Sequence, residues 1–240
     1  MRVDGRLPNE LRPISLVTGY TRWAEGSVLA QFGETHVLCN VTVEERLPRW
    51  LHQQSGEARH GWLSAEYALL PRSTHQRSQR EQQWPKGRTQ EISRLIGRSL
   101  RMGLNLAQLG ERQLIVDCDV LQADGGTRTA AITGGWLAVQ LALQPLIAAG
   151  IVSPKVLRRQ IAAVSVGMVA GQPMLDLAYV EDVSAETDLN VVMAPGGAIV
   201  EIQGTAEKVP FNRDQLAALL DLAAVGIEQL FQHQQQTPTD

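Results

Sequence analysis

Three short stretches of this chain hold residue types that can handle a phosphorus oxyanion. Asp124-Gly125-Gly126-Thr127-Arg128 stands between a run that reads as a strand, Leu114 to Leu121, and one that reads as a helix, from about Ala130 to Ala149. Paired glycines let backbone N–H groups turn toward a ligand, and a helix N-terminus adds partial positive charge. Thr127 contributes a hydroxyl donor and Arg128 a bidentate fork. The stretch is neither the dinucleotide fingerprint nor a P-loop, because the glycine spacing differs and no Lys-Ser/Thr follows. A purely structural strand-to-helix turn would have the same sequence.

Lys86-Gly87-Arg88-Thr89 also precedes a helical run, so Arg88 can reach an anion at that helix start or stand as an ordinary surface arginine. Glu181-Asp182-Val183-Ser184-Ala185-Glu186-Thr187-Asp188 places four carboxylates in eight residues, after one expected strand and before another. Oxygen ligands of this kind suit Mg²⁺, which takes one or two carboxylates plus substrate phosphates, although acidic loops are often merely solvated. Together the three stretches point to phosphoryl transfer.

The elements that must position them read as strands, helix, strand, helix, strands, helix, an α+β arrangement with helices packed on a sheet. Strands are expected over Ile14–Thr18, Ser27–Phe32, His36–Val43 and Leu63–Leu70. The run Leu114–Leu121 shows little alternation. Thr89 is placed to cap a helix over roughly 90–102, with Ile92, Leu95, Ile96 and Ser99 inward and Arg94, Arg98 and Arg101 on the other flank. Pro145 should kink or shorten the following helix. Two hairpins are expected, Ile161–Val169 with Met174–Tyr179 and Leu189–Ala194 with Ala198–Ile202. Asn212 and Gln215 have capping-box spacing before a last helix, and a polar tail from about His233 should fray. No linker or repeat divides residues 1–240, which read as one domain.

The chain carries a net charge of −3, which argues against a nucleic-acid partner, but the average hides an asymmetry. Between Arg72 and Arg101 there are eight basic residues and two acidic ones, a patch able to grip a polyanion or to form a solvated face. Cys39 and Cys118 lie in strand-like runs and read as small buried residues, not as a disulfide framework or zinc site. The five histidines show no metal-ligand spacing. The longest apolar stretch, Trp136 to Ile151, is interrupted by Gln140, Gln144 and Pro145, so no membrane span is expected. The polar N-terminus has no signal-peptide core, which makes the cytoplasm the expected location.

Several segments in one order resemble ribonuclease PH along nearly the whole chain. They are Ala24-Glu-Gly-Ser-Val-Leu, Leu69-Leu-Pro-Arg-Ser-Thr-His75, Gly87-Arg-Thr-Gln-Glu-Ile, Arg94-Leu-Ile-Gly-Arg-Ser-Leu-Arg101, Val116 through Thr129, Thr187-Asp-Leu-Asn-Val-Val-Met193 and Val200-Glu-Ile-Gln-Gly-Thr-Ala-Glu207. The resemblance implies a fold like domain 2 of ribosomal protein S5. It implies a phosphorolytic 3′-to-5′ exoribonuclease, a reversible nucleotidyltransferase that trims tRNA precursors and other RNA 3′ ends and releases nucleoside diphosphates. It assigns the co-substrate phosphate to Arg88, Gly126, Thr127 and Arg128. Catalysis and a divalent ion, Mg²⁺ or Mn²⁺, fall to Asp182 and Asp188. RNA contact falls to Arg72, Arg77 and Arg80, with the flank of Arg94 and Arg98 extending the basic surface. The implied assembly is a homo-hexamer, a trimer of dimers.

Lys86 replaces a glycine usual in the family, Val183 stands at a frequent serine, the loop at 81–87 is shorter than is common and that at 52–59 longer. Two other readings stay open. One is a non-catalytic RNA-binding subunit of the same ring fold, and the other a hydrolytic Mg²⁺-dependent nuclease.

Overall fold

The structure, a computed structural model, describes residues 2–52, 60–80 and 87–238. Lys86, Glu81 and most of the 52–59 and 81–87 loops lie outside the described residues.

The first sheet is built from β1 (Ile14–Thr18), β2 (Gly26–Phe32), β3 (Thr35–Glu44), β4 (Trp62–Leu69) and β5 (Gln113–Gln122), in the order β1-β2-β3-β5-β4. Short helix α1 (Arg49–His52) precedes β4. Strands β4 and β5 run parallel, which requires a crossover. That crossover holds α2 (Gly87–Arg101) and the single turn α3 (Leu106–Leu109). Helix α2 starts at Gly87, so Thr89 lies inside it and not at its cap. The expected inner stripe of Ile92, Leu95, Ile96 and Ser99 is buried.

Strand β5 alternates strictly between buried and half-buried residues, contrary to the weak alternation expected. Ile115 and Leu121 sit on the outer face with Asp117 and Asp119, and these two apolar residues mask the period-2 pattern in the sequence. Cys39 and Cys118 face each other in the β3–β5 register, both buried as free thiols.

Helix α4 (Thr127–Ala148) packs on both sheets, and its residues Thr129 to Val139 are all buried. Buried on all sides over that stretch, it has no amphipathic stripe to maintain there. It passes through Pro145 without the expected shortening. Its length and apolarity alone would suffice to cross a membrane, but 67% of that stretch is buried within the protein, as befits a core helix.

The second sheet holds β6 (Ala162–Val169), β7 (Gln172–Leu175), β8 (Thr187–Ala194) and β9 (Ala198–Ala206), in the order β7-β6-β8-β9 and antiparallel throughout. Strand β7 stops at Leu175, well before the expected Tyr179, because Asp176 adopts a left-handed φ of 54° and α5 (Tyr179–Ser184) begins. Helix α6 (Arg213–Gln236) covers this sheet with Leu219, Ala223, Ile227, Leu230 and Phe231. Its capping box is formed: Gln215 N–H donates to Asn212 Oδ1, and Asn212 N–H to Gln215 Oε1, both at 2.9 Å. Such a cap contributes about 1 kcal/mol. The tail expected to fray from His233 is helical to Gln236, where the Gln234 amide donates to Thr133 O and Ile161 O.

Candidate active site

A cleft of about 530 Å³ opens between the two sheets, and Arg88, Gly126, Thr127, Arg128, Asp182 and Asp188 all line it. They arrive from four elements: the first turn of α2, the turn into α4, the short helix α5 and the start of β8.

The glycine turn has the backbone it needs. Gly125 and Gly126 take φ values of 76° and 64°, a region L side chains rarely adopt. A Cβ on Gly125 would fall 2.5 Å from Leu177 O, so the turn lies directly against the backbone that leads into α5. Gly126 caps α4 without a side-chain acceptor, which leaves the first N–H groups of that helix for a ligand. Thr127 Oγ1 is 2.8 Å from Tyr67 Oη, which orients the hydroxyl. Burial raises the Tyr67 pKa, offset in part by that hydrogen bond and by Arg128 and Arg88.

Two buried arginines near the N-terminus hold the turn and α5 together. Arg12 pairs with Asp176 (Nη2–Oδ1 2.7 Å, Nε–Oδ2 3.0 Å) and donates to the carbonyls of Asp124 and Gly125. Burial alone would raise the Asp176 pKa, but Arg12 holds it below the ordinary value. Arg2 makes a bidentate contact with Glu181 at 2.7 and 2.6 Å and donates to Leu175 O and Asp176 O. Glu181 thus belongs to this framework, a correction to its inclusion in a metal-competent acidic cluster. That cluster also begins in a helix rather than at a strand end.

Asp182 and Asp188 remain as the carboxylates facing the cleft. Burial raises the pKa of Asp182 most, with Arg128 and Arg88 acting in the opposite direction. Burial also raises that of Asp188, and the Asp182 and Glu207 charges add to it. Among the described residues, no three His, Cys, Asp or Glu side chains gather as a complete metal cage. A pair of mutually repelling carboxylates, Asp182 exposed and Asp188 half-buried, fits a hard divalent cation that takes its other ligands from substrate phosphates and water.

Arg128 is engaged from outside the turn. It donates to Gln203 Oε1 on β9 and lies 3.5 Å from Glu91 Oε1 on α2. Arg72, Arg77 and Arg80 are exposed on a segment whose Thr74, His75 and Gln76 form one wall of the cleft. Arg94 and Arg98 do not reach the cleft. They line a separate groove with Trp62, Glu66 and Arg101, and Arg98 is tied to Glu201 by bonds of 2.7 and 2.6 Å. Val183 is 63% exposed, off the cleft lining.

The sequence reading missed Tyr67, Arg2, Arg12, Asp176, Asn190 and Tyr179. Only Asn190 carried a local signal, two residues from Asp188 on a strand and hence on the same face.

Residues 10–145 match domain 1 of the 3′ exoribonuclease family, RNase PH, and residues 159–226 match domain 2 of the same family. The chain belongs to this family. Its fold is similar to that of rice (Oryza sativa) Rrp46, with a TM-score of 0.78, 17% identity and coverage of 98% of this chain and 99% of that one. It is also similar to a chain of the Archaeoglobus fulgidus exosome with RNA bound to the active site, with a TM-score of 0.77, 22% identity and coverage of 96% and 91%. An archaeal exosome core chain gives 0.75 at 19% identity over 97% and 90%.

Proposed function

We propose that the chain removes nucleotides from RNA 3′ ends, tRNA precursors among them, by phosphorolysis. The observation that carries this is the meeting of an anion-binding helix start, two arginines and a carboxylate pair in one cleft. Inorganic phosphate is held by Arg88, Thr127, Arg128 and the N–H groups at the start of α4, beginning with Gly126. Its oxygen attacks the terminal phosphorus in line, a new P–O–P bond forms and the P–O3′ bond breaks. A nucleoside diphosphate leaves, and the departing O3′ takes up the proton lost by the attacking hydrogen phosphate. No basic side chain is needed, since phosphate near neutral pH is already in part a dianion. Arg88 and Arg128 neutralise charge on the phosphorus oxygens, and the fixed turn supplies alignment. Asp182 and Asp188 would hold Mg²⁺ or Mn²⁺, which supplies Lewis-acid stabilisation of charge on the diester. Arg72, Arg77 and Arg80 would contact the body of the RNA, and the working form would be a homo-hexameric ring.

The similarity to exosome chains favours a second reading, an RNA-binding ring subunit without turnover. The intact set of cleft residues favours the first. A 3′-tailed tRNA incubated with and without inorganic phosphate separates them, with sedimentation reporting assembly. Phosphate-dependent shortening supports the first reading, and binding without shortening the second. Phosphate-independent shortening would indicate a hydrolytic nuclease.

A further inference from the structure

We propose that His75 and Tyr179 form a stacking subsite for the base of the terminal nucleotide, recognising its ring face and not its identity. The proposal rests on the reading of the cleft as an RNA 3′-end site. The two rings lie 6.2 Å apart at 47°, and both line the cleft. Tyr179 is 48% exposed, an open aromatic face beside the candidate reaction centre. It opens α5 three residues before Asp182, a spacing that puts both side chains on one helix face.

Both rings stand on backbone fixed to the phosphate turn. Tyr179 N–H donates to Asp124 Oδ1 at 3.3 Å, and the same backbone packs on Gly125. On the His75 side, the buried Ser73 accepts from Ala123 N–H at 2.8 Å through its carbonyl and donates from its hydroxyl to Leu70 O at 2.8 Å. Leu69, 38% exposed, adds apolar surface to the same cleft. The cleft thus joins charged residues suited to phosphate and diester with aromatic surface suited to a base. Every base presents a π-face, so the grip tolerates any sequence.

The test uses the full-length protein and a short RNA ending in 2-aminopurine, titrated by fluorescence without phosphate, so that no turnover is needed. Wild type should quench the probe. Tyr179→Ala should weaken binding by roughly 5-fold to 150-fold, the range for one stacked base, while Tyr179→Phe binds like wild type. The same RNA with an abasic 3′ terminus should bind wild type more weakly by a similar factor and should bind wild type and Tyr179→Ala equally. Calorimetric binding of inorganic phosphate should be unchanged in Tyr179→Ala. If wild type binds base-bearing and abasic RNA alike, or if Tyr179→Ala loses phosphate binding as well, the stacking role is wrong. Base-dependent binding without any phosphorolysis would leave the subsite standing and remove the proposed reaction instead.

Discussion

Arg12 and Asp176 are 164 residues apart in the chain and form a buried ion pair that ties the glycine turn to the segment bearing α5. The Arg12 guanidinium also caps the Asp124 and Gly125 carbonyls. Replacing Arg12 with Met should leave a buried carboxylate and two carbonyls without their cation. The expected loss is about 3–5 kcal/mol of stability, measured by urea unfolding. A loss under 1 kcal/mol would mean the pair is not a structural tie.

The same pair sets an acid dependence. The folded pKa of Asp176 lies below its unfolded value, so the unfolded chain binds the proton more readily. The pair's contribution is complete above the unfolded value and is lost as pH falls through the folded one. Asp176→Asn should therefore be less stable than wild type near neutrality, with the gap narrowing only below about pH 4. A gap that stays constant down to acid unfolding would contradict this.

Arg128 should govern phosphate use. Arg128→Ala should raise the KM for phosphate roughly tenfold to a hundredfold, with tRNA binding nearly unchanged. Glu91 holds the same guanidinium from an exposed position, so Glu91→Gln should lower that KM by no more than about fivefold. Steady-state kinetics at varied phosphate checks both. Equal losses in phosphate and tRNA affinity would count against the assignment.

Asp182 and Asp188 should act as one unit. Either Asn variant should remove most turnover, and the double variant should be little worse. Metal titration of the single variants should show a shared loss of affinity. Independent, multiplying losses would exclude a shared ion.

The exposed arginines should carry salt-dependent RNA affinity. Replacing Arg72, Arg77 and Arg80 with Ala should flatten the slope of log K against log salt by roughly 2 to 3, and turnover of a saturating short oligonucleotide should survive. Arg98, already paired with Glu201, should have little effect on tRNA binding when replaced. A triple variant that stays assembled yet loses short-substrate turnover as fully as tRNA turnover would put the loop in the catalytic centre.

What the sequence revealed follows the range of the interactions. The turn from Asp124 to Arg128 and the Asn212–Gln215 cap are local, so their residue types are legible without a structure. The strands of the first sheet were found to within a residue or two for the same reason. Arg12 with Asp176 and Arg2 with Glu181 join positions more than 160 residues apart, and no spacing rule links them. Counting charge between Arg72 and Arg101 could not show that Arg98 is taken up by Glu201 or Arg128 by Glu91. The end of β7 was misplaced because a tertiary contact, the capture of the Leu175 and Asp176 carbonyls by Arg2, overrides a β-prone sequence.

In the proposed reaction phosphate, not water, receives the terminal nucleotide. Incubating a 3′-labelled RNA with the assembled protein, a divalent cation and inorganic phosphate, and separating the mononucleotide products, tests it directly. Phosphorolysis should give nucleoside diphosphate as the labelled product, none when phosphate is omitted, and re-extension of the RNA when excess diphosphate is added. Nucleoside monophosphate as the product, or full-length RNA under every condition, would contradict it.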